Sequence, residues 1–252
     1  MIFHIPHNST SIPKKIRNQF VLSDIELKKE LLIMTDHMTS ELFKSAMIKG
    51  DDVVEFPVSR LVLDPERFLD DDKEIMNEVG MGVIYLKTSD GGILRKSLSN
   101  EVKKYLIEKY YLPHHAKLNF YTEKNLDKQS GVVQLIDCHS FSSKPLKYED
   151  NPDSFRPDFC LGTNHQIKDA PIIKILKNDI EGEGYSFDIN NPFSGSILPN
   201  NYFNEDRVQS IMIEVNRKLY MNEKTGKKIQ SFLKIKRIIK EIINVIRTEN
   251  LK

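Results

Sequence analysis

Two largely apolar runs constrain the fold of this chain more than any other feature of its sequence. VVQLID at 132–137 and SIMIEV at 210–215 have the length of strands and carry apolar side chains at most consecutive positions rather than at alternate ones. This pattern is typical of strands that are covered on both faces, as in a parallel sheet between two helical layers. Segments with helical periodicity separate the runs. The sequence therefore predicts an α/β fold with three layers, α/β/α, around a mostly parallel central sheet.

Shorter patterns predict the other elements of this fold. Further strands are expected in IFHIP at 2–6, DVVEFPVS at 52–59 and DFCLG at 158–162. Apolar residues at helical spacing predict the helices, which span 25–34, a second stretch up to about 46, 98–125, 170–180 and 227–248. Thr35 marks either a kink or a new helix start, and Pro113 divides or kinks its helix. Ser23 and Glu26 have capping-box spacing before the first helix.

Two polar segments interrupt this alternation. LDPERFLDDDKE at 63–74 is rich in acids and contains a proline, which predicts an exposed excursion. FSSKPLKYEDNPDSFRPD at 141–158 follows a predicted strand, and we interpret it as an active-site loop.

Charge and cysteine content exclude several classes of protein. Lys and Arg (37) nearly balance Asp and Glu (36), so no basic excess favours nucleic acid or a membrane surface as a partner. No stretch approaches the ~20 apolar residues of a membrane helix, and no signal-peptide pattern opens the chain, so we expect a cytoplasmic protein. Cys138 and Cys160 lack CxxC spacing and are expected to be buried free thiols. At 252 residues, a single domain over 1–252 is expected.

Ionisable residues follow three of the predicted strands. His7 comes after the first strand, His139 after VVQLID, and Glu214 after SIMI. Because the carboxyl ends of parallel strands meet at one edge of a sheet, we expect these side chains to converge. Two histidines and a carboxylate suit Zn²⁺, which in catalytic sites keeps three protein ligands. The third ligand is expected from the interruption after the first helix, with Asp36 favoured and His37 as the alternative.

Glu214 is then the carboxylate left over for proton transfer. It would take a proton from water and return it to a leaving nitrogen. A buried carboxylate without a partner is costly, so a structural ion pair with Arg217 is the alternative explanation. His7 and His139, taken singly, are also compatible with ordinary hydrogen-bonded histidines.

Seven short segments resemble, in order, those of the N-formylglutamate amidohydrolase family, which is related to zinc carboxypeptidases and to desuccinylase-like deacylases of the same fold. The segments are PHNS, MTDHMTSELF, SRLVLDPER, LPHHAKL, IDCHSFSS, PDFCLGT and IEVNRKLYM. Their counterparts in the family include PHSG, TDWHVD, SRYVVDLNR, a YH-bearing helix, DAHS, PD..LGT and LEI-N-R-LYM. The resemblance spans roughly residues 4–221 and implies a fold like that of the zinc carboxypeptidases.

The resemblance also implies roles for individual residues. His7 and His139 match metal-ligand histidines, and Glu214 matches the catalytic glutamate. Asp36 is the implied carboxylate ligand, although His37 lies in the same segment and remains an alternative.

Two arginines complete the implied site. Arg60 is similar to the arginine that polarises the scissile carbonyl. Arg67 would hold a substrate carboxylate through a bidentate fork that lysine cannot reproduce. Arg217 and His115 are further candidates for substrate binding, with structural roles as alternatives; for Arg217 the structural partner would be Asp137 or Glu214.

Two more residues are placed by strand geometry. Asp137 precedes His139 by two positions and points the same way, so it either orients that histidine or caps the adjacent loop. His4 is expected to face away from His7 and to be structural.

The sequence also departs from the family segments. Asn8 and Ser9 stand where the family has Ser-Gly, and DPER replaces DLNR, which removes an asparagine beside the arginine. The resemblance therefore predicts the class of reaction better than it predicts the substrate.

These residues together predict a zinc-dependent amidohydrolase with one Zn²⁺ ion. Its expected substrate is a small N-acyl amino acid such as N-formylglutamate, or a short peptide with a carboxylate. The alternatives are a carboxypeptidase-like enzyme, an amidase for another N-acyl amino acid, and an inactive module that only binds metal and carboxylate.

Overall fold

A six-stranded sheet forms the centre of the protein. The structure is a computed structural model that describes residues 1–128, 131–149, 155–164, 167 and 170–249. The strands are β1 (Ile2–Ile5), β2 (Asp52–Glu55), β3 (Val133–Phe141), β4 (Phe159–Thr163), β5 (Phe187–Ile189) and β6 (Val208–Asn216), and a small separate sheet pairs β7 (Met221–Asn222) with β8 (Lys227–Lys228). The order across the large sheet is β2-β1-β3-β6-β4-β5. The first four strands in that order are mutually parallel, whereas β4 pairs antiparallel with β6. The mostly parallel sheet is therefore confirmed.

Helices cover both faces of this sheet. They are α1 (Lys14–Arg17), α2 (Asp24–Met34), α3 (Thr39–Lys44), α4 (Asn100–Leu106), α5 (Leu112–Lys128), α6 (Pro171–Gly182) and α7 (Phe232–Thr248), with a π-helical turn at Ile107–Tyr111 and 3₁₀ turns at Ile75–Asn77, Asn200–Tyr202 and Arg217–Leu219. Apolar residues of α3, α6 and α7 share one core with β1, β3, β4 and β6. Leu118 of α5 packs with β1, β2 and β3 residues in a separate core. This is the predicted three-layer arrangement.

Two uncertain helix boundaries are resolved by the structure. Ser23 and Glu26 form a complete capping box. Thr35 is the C-cap of α2, which ends at Met34, and α3 begins at Thr39, so Thr35 is neither a kink nor the start of a helix. Pro113 does not divide its helix. The π turn at Ile107–Tyr111 lies directly before α5, and Pro113 is the second residue of α5. The helical structure therefore continues through the proline, which lacks a backbone N–H.

Both central strands run further than their apolar patterns indicate. The sequence predicts that His139 lies beyond its strand, but β3 continues to Phe141 and β6 to Asn216. The ends of these two strands pair with each other up to Phe141 and Asn216, and this pairing keeps their polar residues in extended structure. His139 and Glu214 are register partners in adjacent parallel strands, so their side chains point to the same face.

The prediction of an exposed acidic excursion at 63–74 is wrong for part of that segment. Asp64 is fully buried and Glu74 is nearly so, whereas residues 70–72 are exposed. Burial is possible because both carboxylates have hydrogen-bond partners. Asp64 accepts from Arg60, and Glu74 accepts from the backbone N–H groups of Phe68 and Met76. The surrounding stretch forms its own apolar core with α2 and the π turn.

Other expectations concern burial and membrane association. Cys138 and Cys160 are buried and free, as predicted. Among the described residues, no helix combines the length and apolar character needed to cross a membrane. Of the expected loop at 141–158, residues 150–154 lie outside the described part of the chain.

Candidate metal centre

Three side chains from separate parts of the chain meet at the carboxyl ends of β1 and β3. They are His7, Asp36 and His139, all buried, and one ligand atom from each lies within 4.8 Å of the other two. His7 follows Pro6 directly after β1, and Asp36 follows α2. The backbone N–H of Asp36 donates to the carbonyl oxygen of His7 at 2.9 Å, which fixes the two turns against each other.

The atoms that face one another are Nδ1 of both histidines and one carboxylate oxygen. Asp36 Oδ2 lies 3.2 Å from His139 Nδ1 and 3.8 Å from His7 Nδ1. His7 Nδ1 is buried and has no hydrogen-bond partner among the described residues. Two imidazole nitrogens and a carboxylate are a donor set that suits Zn²⁺, and the unpartnered nitrogen points into that set. His37 is not part of this group, so the geometry favours Asp36 as the third ligand.

The outer nitrogens of the two histidines contact carboxylates. His7 Nε2 lies 2.8 Å from Asp64 Oδ1, and His139 Nε2 lies 3.0 Å from Asp137 Oδ1. When Nδ1 binds an ion, Nε2 carries the hydrogen and donates it to the carboxylate, which fixes the tautomer and the ring. The position of Asp137 agrees with the orienting role proposed for it. Asp64 was missed, because the acids of its segment predict exposure.

Asp36 is itself held by a cation. Arg217 Nη2 donates to Asp36 Oδ1 at 2.8 Å, and the N–H of Ser140 donates to Oδ2 at 3.2 Å. Burial alone would raise the pKa of Asp36, but the hydrogen bond with His139 and the charge of Arg217 lower it below its usual range. Asp36 is therefore an anion, as a ligand must be.

The contacts of Arg217 correct one expectation. Its predicted structural partners were Asp137 and Glu214, yet it pairs with Asp36 and also donates to the side-chain and backbone oxygens of Ser140 and the carbonyl of Ile33. These bonds occupy the guanidinium, so they support a structural role rather than substrate binding.

Glu214 lies beside this group, and none of the described residues forms an ion pair with it. Its side chain is 7% exposed, and its Oε2 has no hydrogen-bond partner in the described part of the chain. Burial raises the pKa of Glu214 to about 8; the charges of Asp36 and Glu66 add to this, while those of His139 and Arg217 oppose it. A carboxyl group with a pKa near neutrality can both accept and donate a proton at physiological pH.

The raised pKa of Glu214 predicts a pH-dependent stability of the metal-free protein. Because its pKa rises from 4.5 to about 8 on folding, its contribution to stability is present below pH 4.5 and is lost as the pH rises through 8. Metal-free Glu214→Gln is therefore expected to melt close to wild type at pH 5 and higher by roughly 5 °C or more at pH 9. Thermal melts with a chelator present test this; an equal difference at both pH values would contradict it.

A cavity of about 860 Å³ opens above these residues. Arg60 and Arg67 line it. Arg60 donates to Asp64 Oδ2 at 2.8 Å and to the hydroxyl of Tyr85 at 3.0 Å. Arg67 Nε lies 3.9 Å from both Asp64 and Glu74 and makes no hydrogen bond among the described residues. The Arg67 side chain is 23% exposed, so part of it remains accessible from the cavity that it lines.

His115 and His4 differ from Arg67 in having close partners. His115 Nε2 contacts the carbonyl of Pro65 at 2.8 Å, which anchors the segment that carries Asp64 and Arg67. His4 does not face away from the site as expected: its Nδ1 lies 2.8 Å from Asp137 Oδ1. Register explains this, because His4 pairs with Asp137 across β1 and β3 and points to the same face.

Comparison with known proteins gives a consistent result. A family model described as N-formylglutamate amidohydrolase matches residues 1–221. The crystal structure of an N-formylglutamate amidohydrolase from Ralstonia eutropha JMP134 matches with a TM-score of 0.80 and 21% identity, over 98% of this chain and 91% of that chain. That of a gene product from Agrobacterium tumefaciens matches with a TM-score of 0.67 and 16% identity, over 98% and 90%. No curated protein matches. At these identities the two structures establish a shared fold.

Proposed function

The chain belongs to the N-formylglutamate amidohydrolase family, and we propose that it is a metal-dependent hydrolase that cleaves the amide bond of an N-acyl amino acid such as N-formylglutamate. The observation that carries this proposal is the meeting of His7, Asp36 and His139 beside Glu214, a buried carboxylate with an unpartnered oxygen. Three protein ligands leave a position for water on a catalytic zinc ion, and a free carboxyl group beside them can move the proton of that water.

His7, Asp36 and His139 would hold the ion, and Zn²⁺ suits their donor set. When bound, Zn²⁺ supplies Lewis acidity, which makes water a stronger acid and polarises a carbonyl group. Asp64 and Asp137 would keep the two imidazole rings oriented through their Nε2–H groups. Arg217 would keep Asp36 ionised and in place.

Glu214 would move the proton. As a carboxylate it accepts a proton from the attacking water, and as an acid it returns that proton to the nitrogen of the departing amine. Its pKa of about 8 in the metal-free protein supports the acid form, and a bound cation nearby would favour the carboxylate.

The two arginines would bind substrate. Arg60 lines the cavity, and its fixed charge could stabilise the oxygen that becomes negative when the amide carbonyl is attacked. Arg67 would orient the substrate by its carboxylate. Asp64 accepts from Arg60 and lies near Arg67, so one buried anion positions both cations.

A substrate panel tests the reaction. Purified protein loaded with Zn²⁺ should hydrolyse N-formyl-L-glutamate, and N-acetyl amino acids and short peptides ending in glutamate or aspartate should be assayed beside it. The cavity of about 860 Å³ offers more room than a formyl group requires, which is why longer acyl groups belong in the panel. Bound metal without turnover of any panel member would favour the inactive binding module.

Arg67→Lys predicts a defect in substrate binding. Lysine keeps the charge but lacks the fork, so KM for the preferred carboxylate substrate should rise roughly 10-fold or more, with a smaller change in kcat. Arg207→Lys is a suitable control, because Arg207 is half exposed and pairs with Glu205, two residues away in the sequence. Steady-state kinetics that show unchanged KM would remove Arg67 from substrate binding.

A further inference from the structure

The carboxylate of Glu66 lies between the outer nitrogens of both histidines in the candidate metal centre. Its Oε1 is 3.2 Å from His139 Nε2, and its Oε2 is 3.4 Å from His7 Nε2. One side chain thus spans two rings that would bind the same ion. The Glu66 side chain is only 15% exposed, so solvent screens these contacts weakly.

Asp137 serves two histidines at once, and Glu66 offers His139 a carboxylate besides Asp137. Asp137 Oδ1 lies 3.0 Å from His139 Nε2 and 2.8 Å from His4 Nδ1, so two imidazole groups share one oxygen. His4 is held from its other side, since its Nε2 lies 2.8 Å from Nε2 of His114. With Glu66, three carboxylates serve the three N–H groups of His4, His7 and His139.

The backbone that presents Glu66 is fixed. Its N–H donates to Asp64 Oδ1 at 3.0 Å, and His115 holds the carbonyl of Pro65 at 2.8 Å. Asp64 in turn lies 2.8 Å from His7 Nε2. The segment is therefore anchored directly before the glutamate, and the side chain already reaches both rings.

We propose that Glu66 is a positioning residue for the metal centre, holding the rings of His139 and His7 through their outer nitrogens and strengthening metal binding with its negative charge. This inference rests on the proposed function, because it concerns the same ion. It also gives a role to a departure from the family segment SRYVVDLNR, in which asparagine stands where this chain has Glu66. A neutral amide would supply neither the charge nor two acceptor oxygens.

The affinity of the metal-free protein for Zn²⁺, measured by competition with a chelator, tests this inference. Glu66→Gln, and independently Glu66→Asn, should weaken binding by about 10- to 100-fold, the range found for outer partners of metal-bound histidines. Melting temperatures of the metal-free variants should stay near that of wild type, because the role concerns the ion rather than the fold.

Glu149→Gln is the matched control. Glu149 lines the same cavity and has the same 15% side-chain exposure, but it pairs with Arg156 and contacts neither histidine. It should bind Zn²⁺ within about 2-fold of wild type if ring positioning, rather than cavity charge, governs affinity.

Three results would overturn the inference. Unchanged Zn²⁺ affinity in both Glu66 variants would overturn it. If KM changed in those variants while the Zn²⁺ affinity did not, Glu66 would act on the substrate instead. An equal loss of Zn²⁺ affinity in Glu149→Gln would show that the negative charge of the cavity, rather than contact with the histidine rings, governs the affinity. Failure of the wild-type protein to bind Zn²⁺ is a different outcome: it would overturn the proposed function itself, and this inference with it.

Discussion

Replacing Glu214 with glutamine is expected to lower kcat/KM by about 10²- to 10⁴-fold while Zn²⁺ stays bound, the range for loss of a positioned proton-transfer group. Glutamine has nearly the same shape but cannot accept the proton of the attacking water. Glu214 is not one of the close ligand group, so metal affinity should change little. Initial rates on the best panel substrate, with zinc content measured on the same samples, give both quantities.

Glu30→Gln is the control for this variant. Glu30 is also a buried carboxylate with a raised pKa, caused by burial, but it accepts from Ser89 away from the cavity. Its replacement should leave kcat/KM of the folded protein within about 2-fold, since it transfers no proton in the reaction. Near wild-type turnover by Glu214→Gln would remove Glu214 from the mechanism, and loss of zinc in that variant would make it a ligand instead.

The second large effect concerns the third metal ligand. Asp36→Asn should weaken Zn²⁺ binding by more than the 10- to 100-fold typical of an outer partner, because it removes a charged donor from the ion itself. His37→Ala should retain the metal, since His37 lies outside the close ligand group. Zinc content after dialysis and chelator competition distinguish the two adjacent residues.

The Asp36 variant also leaves Arg217 without its carboxylate partner, so its fold must be checked by circular dichroism. The backbone N–H of residue 36 would still donate to the His7 carbonyl, which favours retention of the turn. Zinc loss in His37→Ala together with retention in Asp36→Asn would reverse the assignment of the third ligand.

The sequence predicts the framework of the site because the framework follows from strands. Two apolar runs identify β3 and β6 as central strands, and the convergence of parallel strand ends at one edge of the sheet predicts that His139 and Glu214 lie in one site. The structure adds that the two strands are neighbours and that these residues are register partners. The register of β1 with β3 places His4 beside Asp137, a contact that the pattern of β1 alone does not predict. Strand periodicity is informative here since neighbouring parallel strands present paired residues on one face.

The contacts made by the long segment after β2 could not be predicted in this way. Asp64 and Glu66 belong to an acidic stretch whose composition resembles that of an exposed loop, yet the chain folds back so that both reach the histidines. Helix or strand periodicity in the sequence cannot predict this fold-back, because the segment between β2 and α4 contains only one short regular element, a 3₁₀ turn. The partner of Arg217 was missed for a similar reason: Asp36 is distant in sequence and lies outside any regular element.

Crystals of the protein grown with Zn²⁺, with diffraction measured at the zinc absorption edge, test the central claim most directly. We expect one strong anomalous peak within about 2.0–2.2 Å of Nδ1 of His7, Nδ1 of His139 and a carboxylate oxygen of Asp36. No zinc at these three residues, or zinc bound elsewhere with Glu214 remote from it, would contradict the account.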